Sequence, residues 1–323
     1  MHEKKIKSLS LILIIGIVLI SCNQNSKCQN KTEYKFPVLK GSYFGRIAPK
    51  GKAEVFMDGI ISKIDKPEMC AAFTKEGKEF YFNAIYNENW TIFVTRNVNE
   101  EWTNPEPINF TSDYIDRDFT ISPDGNKLYF GSNRPRIAGE EKLESFDLYV
   151  SEKIADNIWC EPRNIGEIVN TDFSENYPSV DAIGNLYFFS NRGEGLGGCE
   201  IYTSQFIDNE YINPELLGGH VNSNKNDWDS FIASDGSYII LSSQNRDDTM
   251  GKQDLYISFK DSKGAWTKVQ NMGERVNSTS DEICPSVSLD GKILFFTSRR
   301  RGKADIFWVD AKVIEDLKPE DLN

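Results

Sequence analysis

Asn170 to Gly184 reads NTDFSENYPSVDAIG, and Asn277 to Gly291 reads NSTSDEICPSVSLDG. Both run from Asn through a polar spacer to Glu, then Pro-Ser-Val, then a turn that closes on Gly. Internal self-similarity of this kind marks a repeat architecture, so the turn Gly is the natural anchor for aligning the rest of the chain. Five copies result, at Gly77, Gly125, Gly184, Gly236 and Gly291, spaced by 48, 59, 52 and 55 residues.

Each copy carries the same elements. AAFTKEG, FTISPDG, PSVDAIG, SFIASDG and PSVSLDG read as strands running into tight turns. KEFYFNA, NKLYFGSNR, NLYFFSNR, SYIILSS and KILFFTSR follow as second strands, rich in aromatic and branched residues. Third strands are WTIFVTR, FDLYVSE, CEIYTSQ, QDLYISF and ADIFWVD. A fourth element steps by seven and four residues in three copies: Trp159, Gly166, Asn170; Tyr211, Gly218, Asn222; Trp266, Gly273, Asn277. Trp102, Pro105 and Asn109 form a looser version. Four short antiparallel strands per unit, repeated, define propeller blades, because one blade cannot bury both faces of its sheet and stacked neighbours can.

SPDGNKLYFGSNR, SNRGEGLGGCEIYTS and the W…P…(I/L)G…VN…E segments resemble the WD40-like, TolB-type β-propeller repeat, from roughly Pro67 to Asp310. The resemblance implies an all-β propeller of a kind often found in Gram-negative envelope proteins and usually six-bladed. The residues themselves give five repeats, near 67–110, 116–170, 175–222, 227–277 and 282–310. The segment 53–62, AEVFMDGIIS, is expected to close the last, three-stranded unit, within a propeller spanning 41–313 and a tail at 314–323.

Ahead of the repeats, MHEKKIK is basic and Leu9–Ile20 is largely apolar, which fits a signal peptide over 1–21. Twelve residues are too few to cross a ~30 Å hydrocarbon core as a helix. Leu19-Ile20-Ser21-Cys22 resembles a bacterial lipobox, so Cys22 is expected to carry lipid at the head of a polar tether, 22–40. Asn23, rather than Asp, resembles the pattern sorted to the outer membrane, at its periplasmic face or the cell surface. The net charge is −12; losing Lys4, Lys5, Lys7 and Glu3 with the leader leaves −14. Such acidity argues against nucleic acid and against recruitment by anionic lipid.

Nine residues before each turn Gly stands an acid: Glu68, Asp116, Glu175, Asp227 and Glu282. The strand that they introduce is expected to be innermost, placing them round one mouth of the channel. Such a ring would suit Ca²⁺ or a cationic group. Alternatively, each carboxylate accepts structural hydrogen bonds from backbone N–H, Arg, Ser or Asn; Arg134, Arg192, Arg246 and Arg299 or Arg300 are placed to do so. Asp118 and Asp229 lie seven before their Gly, as do Cys70 and Cys284. In a closed ring of five, the two Cys would sit in neighbouring blades, as a disulfide or as two packed thiols. Five Cys follow Cys22, and no C-x-x-C occurs, so no zinc knuckle or redox motif is signalled.

GEGLGG, 193–198, precedes no helix pattern and reads as an inter-strand loop. Trp90, Trp228 and Trp308 suit blade packing or sugar stacking. No G-x-S-x-G elbow occurs, and only His220 follows the leader, which argues against peptidase and His–metal lyase chemistry. The expected function is non-catalytic: a protein–protein scaffold in the envelope, tethered to the membrane by lipid, with no cofactor. A glycan or peptidoglycan-fragment binding module and a propeller glycosidase are the alternatives.

Overall fold

The computed structural model describes residues 36–322, apart from 64, 111, 112, 156, 157, 194 and 196. The leader, Cys22, Cys28 and most of the tether lie outside the described residues.

Five antiparallel sheets match the five repeats. Their inner strands are Glu68–Phe73, Asp116–Ile121, Glu175–Val180, Asn226–Ile232 and Glu282–Val287. Each inner strand touches the next, and the fifth touches the first, so the ring of blades closes at five. Outer strands are only two residues long, such as Glu215–Leu216 and Gln270–Asn271, which keeps exposed sheet edges short. Blade 5 takes its outer strand from the other end of the repeat region. Glu54 and Val55 pair with Trp308 and Phe307, within the segment expected to close the ring.

The apolar residues of the second and third strands are sandwiched between blades. One cluster joins Leu255, Ile257, Leu294 and Phe307 across blades 4 and 5. Another joins Phe56, Phe73, Phe80, Phe295 and Trp308 across blades 5 and 1. Trp308 stacks on Phe295 at 6.4 Å, so it is blade packing. The ordered body runs past the propeller limits expected from sequence. Phe36 and Leu39 pack on blade 1, and Ile314, Leu317 and Leu322 pack on the blade 4–5 cluster.

The Asn of the quoted stretch has a defined duty. The Asn170 amide accepts from Leu148 N–H at 2.8 Å and donates to Leu148 C=O at 3.0 Å. Asn222 does the same at Ile201, and Asn277 at Leu255. One side chain thereby stands in for a strand residue against the third strand, where the two-residue outer strand stops.

Candidate functional site at the propeller axis

The residue after that Asn connects to the repeated acid. Thr171 donates to Glu175 through its backbone N–H and hydroxyl, both at 2.8 Å. Ser223 serves Asp227 in the same way, and Ser278 serves Glu282. Register places a Ser of the second strand directly opposite the acid in four blades: Ser132, Ser190, Ser243 and Ser298. Each of these hydroxyls donates to its carboxylate at 2.5–2.7 Å. The Arg just beyond completes the hub: Arg134 to Asp116, Arg192 to Glu175, Arg246 to Asp227 and Arg300 to Glu282, at 2.6–3.1 Å. The same Nη2 also donates to the carbonyl of Phe110, Val169, Val221 or Val276, which ties in the segment entering the blade.

Glu68 departs from this pattern. Ala84 stands where the others have Ser. Its contacts are Lys63 N–H at 3.2 Å and the Lys303 ammonium at 3.7 Å. Burial pushes its carboxyl up to about 8, against the pull of Lys303.

A further set of buried acids was not singled out from sequence: Asp147, Glu200, Asp254 and Asp305, each the first or second residue of a third strand. The recurring pair of an acid and an aliphatic in FDLY, CEIY, QDLY and ADIF was the available signal. Asp147 takes Arg136, and Asp305 takes Lys303. Glu200 gathers the N–H groups of Gly195 and Gly197, folding the glycine-rich loop back on its own strand. A Cβ on Gly195 would lie 1.9 Å from the Glu200 carboxylate, so Gly is required there.

The axis is occupied by the residue seven before each Gly: Cys70, Asp118, Tyr177, Asp229 and Cys284. All five are buried. Each lies where the inner strand's register shifts, and each has positive φ, between 45° and 54°. Five non-glycine residues in this sparsely populated region need a cause common to the repeat. The bulge supplies it, by re-aiming one side chain per blade. Tyr177 donates to the Pro285 carbonyl at 2.9 Å, linking the non-adjacent blades 3 and 5 across the axis. The Sγ of Cys70 lies 3.9 Å from Asp118 Oδ1. Cys70 Sγ, Cys284 Sγ and an Asp118 oxygen all lie within 4.8 Å of one another. Both Cys are free thiols. Asp229 accepts from Cys284 N–H at 3.2 Å and from the Ser242 hydroxyl at 3.3 Å. Burial raises the carboxyls of both Asp118 and Asp229, the latter to about 7 with a further push from Asp118. Sequence reasoning paired the two Cys and noted the two Asp, but did not place Tyr177 in the same ring.

No protein-family profile matches the chain, and no curated protein does. Among solved structures, a glycoside hydrolase is similar at 10% identity, with 88% of this chain and 94% of that one covered and a TM-score of 0.53. TolB from Acinetobacter baumannii is similar at 16% identity over 76% of this chain and 54% of its own, with a TM-score of 0.49. A TolB described from Agrobacterium tumefaciens is similar at 15% identity over 72% and 70%, also with 0.49. At these identities the hydrolase likeness carries the propeller fold alone. The two TolB likenesses, each below one half, carry no argument.

Proposed function

We propose that this chain is a lipid-anchored protein of the bacterial envelope whose propeller acts as a non-catalytic protein–protein scaffold. The observation that carries the reading is the concentration of exposed aliphatic side chains on the outer edges of blades 2 and 3. Ile154, Ile158, Ile168, Ile207, Ile212 and Leu216 are all exposed there. One of them, Ile168, lines a groove of about 450 Å³ together with Arg163, Ile165, Phe206 and Tyr211. An apolar groove with a charged rim fits a protein partner. The hub acids are turned inward to Arg and Ser in four blades, which fits a structural duty for that ring. The test is crosslinking in living cells with the full lipidated chain as bait. One envelope protein should be captured, and lost in both Ile168→Glu and the mislocalised Cys22→Ala. Capture that survives Ile168→Glu would move the partner to another face. Capture of nothing would sink the scaffold and leave a glycan or peptidoglycan-fragment ligand as the next binding reading.

A second reading, a propeller glycosidase, is favoured by one observation. Asp118 and Asp229 face one axis, and burial raises the carboxyls of both, with Asp118 adding to the push on Asp229, the direction that favours a general acid. Turnover of any oligosaccharide that disappears in Asp229→Asn would establish it. A purified chain inert towards a broad oligosaccharide panel would remove it.

A further inference from the structure

The donors gathered on the axis have a composition that structural packing does not explain. Two thiols and a carboxylate oxygen from blades 1, 5 and 2 lie within 4.8 Å of one another, in a buried place. A thiol pair that served only as small apolar filler would sit among hydrocarbon; this one sits beside two carboxyl groups. One edge of the cluster is close to the tetrahedral value, and the other two are within 4.8 Å. With metal–sulfur bonds of about 2.3 Å and metal–oxygen bonds of about 2.1 Å, ligand atoms stand about 3.6–3.8 Å apart. The Cys70–Asp118 edge is 3.9 Å.

We propose that the propeller axis holds one thiophilic divalent metal ion of the zinc class, ligated by Cys70 Sγ, Cys284 Sγ and Asp118 Oδ1, with water in the fourth position. The supporting groups are already in place. Asp118 turns its second oxygen to Arg117 Nε at 3.3 Å, and the Arg117 guanidinium lies 4.1 Å over the Phe146 ring. One oxygen thus sits at ion-pair distance from a guanidinium while the other lies 3.9 Å from the Cys70 sulfur, so the charge of Arg117 biases how the carboxylate is turned. Asp229 is a positioning residue: it accepts the Cys284 N–H, and Cys70 N–H is held by Thr297 Oγ1 at 3.0 Å. Two sulfurs select zinc-like ions over Ca²⁺, which takes oxygen ligands. Binding replaces both thiol protons by metal–sulfur bonds, and the protons leave to solvent. The ion would join blade 1 to blade 5 at the closure of the ring and to blade 2 beside it. It needs no catalytic role and is independent of the partner groove.

The experiment uses the full chain. Metal is measured in the protein as purified, then removed with a chelator under denaturant, and the chain is refolded with Co²⁺. The expected results are one equivalent of zinc as purified and, with Co²⁺, a thiolate-to-cobalt charge-transfer band. Cys284→Ser and Asp118→Asn should each weaken cobalt binding at least tenfold, while Cys160→Ser leaves the band unchanged. Cobalt titration of the unsubstituted chain needs no variant to fold. Refolded protein that takes up no Co²⁺, a band that persists in Cys284→Ser, or a Cys70–Cys284 disulfide in freshly purified protein would each overturn the site.

Discussion

At the scale of single residues, the fold rests on polar groups that stay buried because each is answered. The Glu175 hub shows it, with Thr171, Ser190 and Arg192 converging on one carboxylate, as their counterparts do on Asp227 and Glu282. Removing Arg192 would leave that charge buried and unbalanced. Arg192→Ala should therefore cost about 3–5 kcal/mol, read from the shift of the denaturant midpoint. Arg192→Lys should recover only part of it, because one ammonium cannot stand both where Nη2 serves Glu175 and the Val169 carbonyl and where Nε donates to Ser190 Oγ. A midpoint unmoved in Arg192→Ala would mean that the hub is decorative. Asn277→Ala should cost about 1–3 kcal/mol, since it takes the acceptor from Leu255 N–H, while the Leu255 C=O keeps its bond from Met272 N–H. Faster hydrogen exchange at Leu255 would confirm the cause. Much of this was legible in sequence. Acid, Ser, Arg and Asn recur at fixed distances from a Gly, and repetition exposes what one copy would hide. The axial cluster was legible only in part: the shared offset paired Cys70 with Cys284 and marked Asp118 and Asp229, but that an Asp118 oxygen meets both sulfurs appears only when the ring closes. Tyr177, at the same offset, shares no chemistry with its neighbours and drew no notice.

At the scale of elements, the closing strand has the most to lose. Glu54–Val55 is two residues long, yet it supplies the outer edge of blade 5 and is followed by Phe56, which is fully buried. Phe56 sits 5.0 Å from Trp308 and 5.1 Å from Phe80, so one ring fills the gap between the last blade and the first. Phe56→Ala should destabilise the protein by about 3–5 kcal/mol, measured by chemical unfolding. Val98→Ala, at an exposed strand end, should stay within about 0.5 kcal/mol. Equal effects from the two substitutions would show that the seam is not closed by this packing. Sequence placed this strand by what blade 5 lacked; the count of five followed from the repeats, against the six that the resemblance implied. The docking of Phe36 and Leu39 ahead of the strand, and of Leu317 and Leu322 after the last blade, had no repeat to announce it.

At the scale of the whole molecule, a closed ring has one seam, and here it falls in blade 5, whose third strand, Asp305–Asp310, and outer strand, Glu54–Val55, come from opposite ends of the repeat region. Its bonds include Glu68 N–H to Ala304 C=O at 3.1 Å, Phe56 N–H to Ile306 C=O at 2.7 Å and Arg301 to Asp58 at 2.7 Å. In the other blades the third and outer strands follow one another in chain, and covalent continuity limits how far they can part. Blade 1 also has the one hub without Arg, so its inner strand enters with less support than the other four. Local opening should therefore begin at this seam before the ring unfolds globally. Native-state hydrogen exchange tests the order. In metal-free protein, the amides of Phe56, Glu68 and Cys70 should exchange through a sub-global opening, while Leu241 and Ile257 in blade 4 exchange only with global unfolding. Zinc at saturating concentration should slow the seam amides selectively, by tenfold or more, because an ion bound to Cys70 and Cys284 holds the closed form alone. Uniform protection round the ring, unchanged by zinc, would show that the seam is no weaker than the chain-linked junctions and that the axis does not clip it.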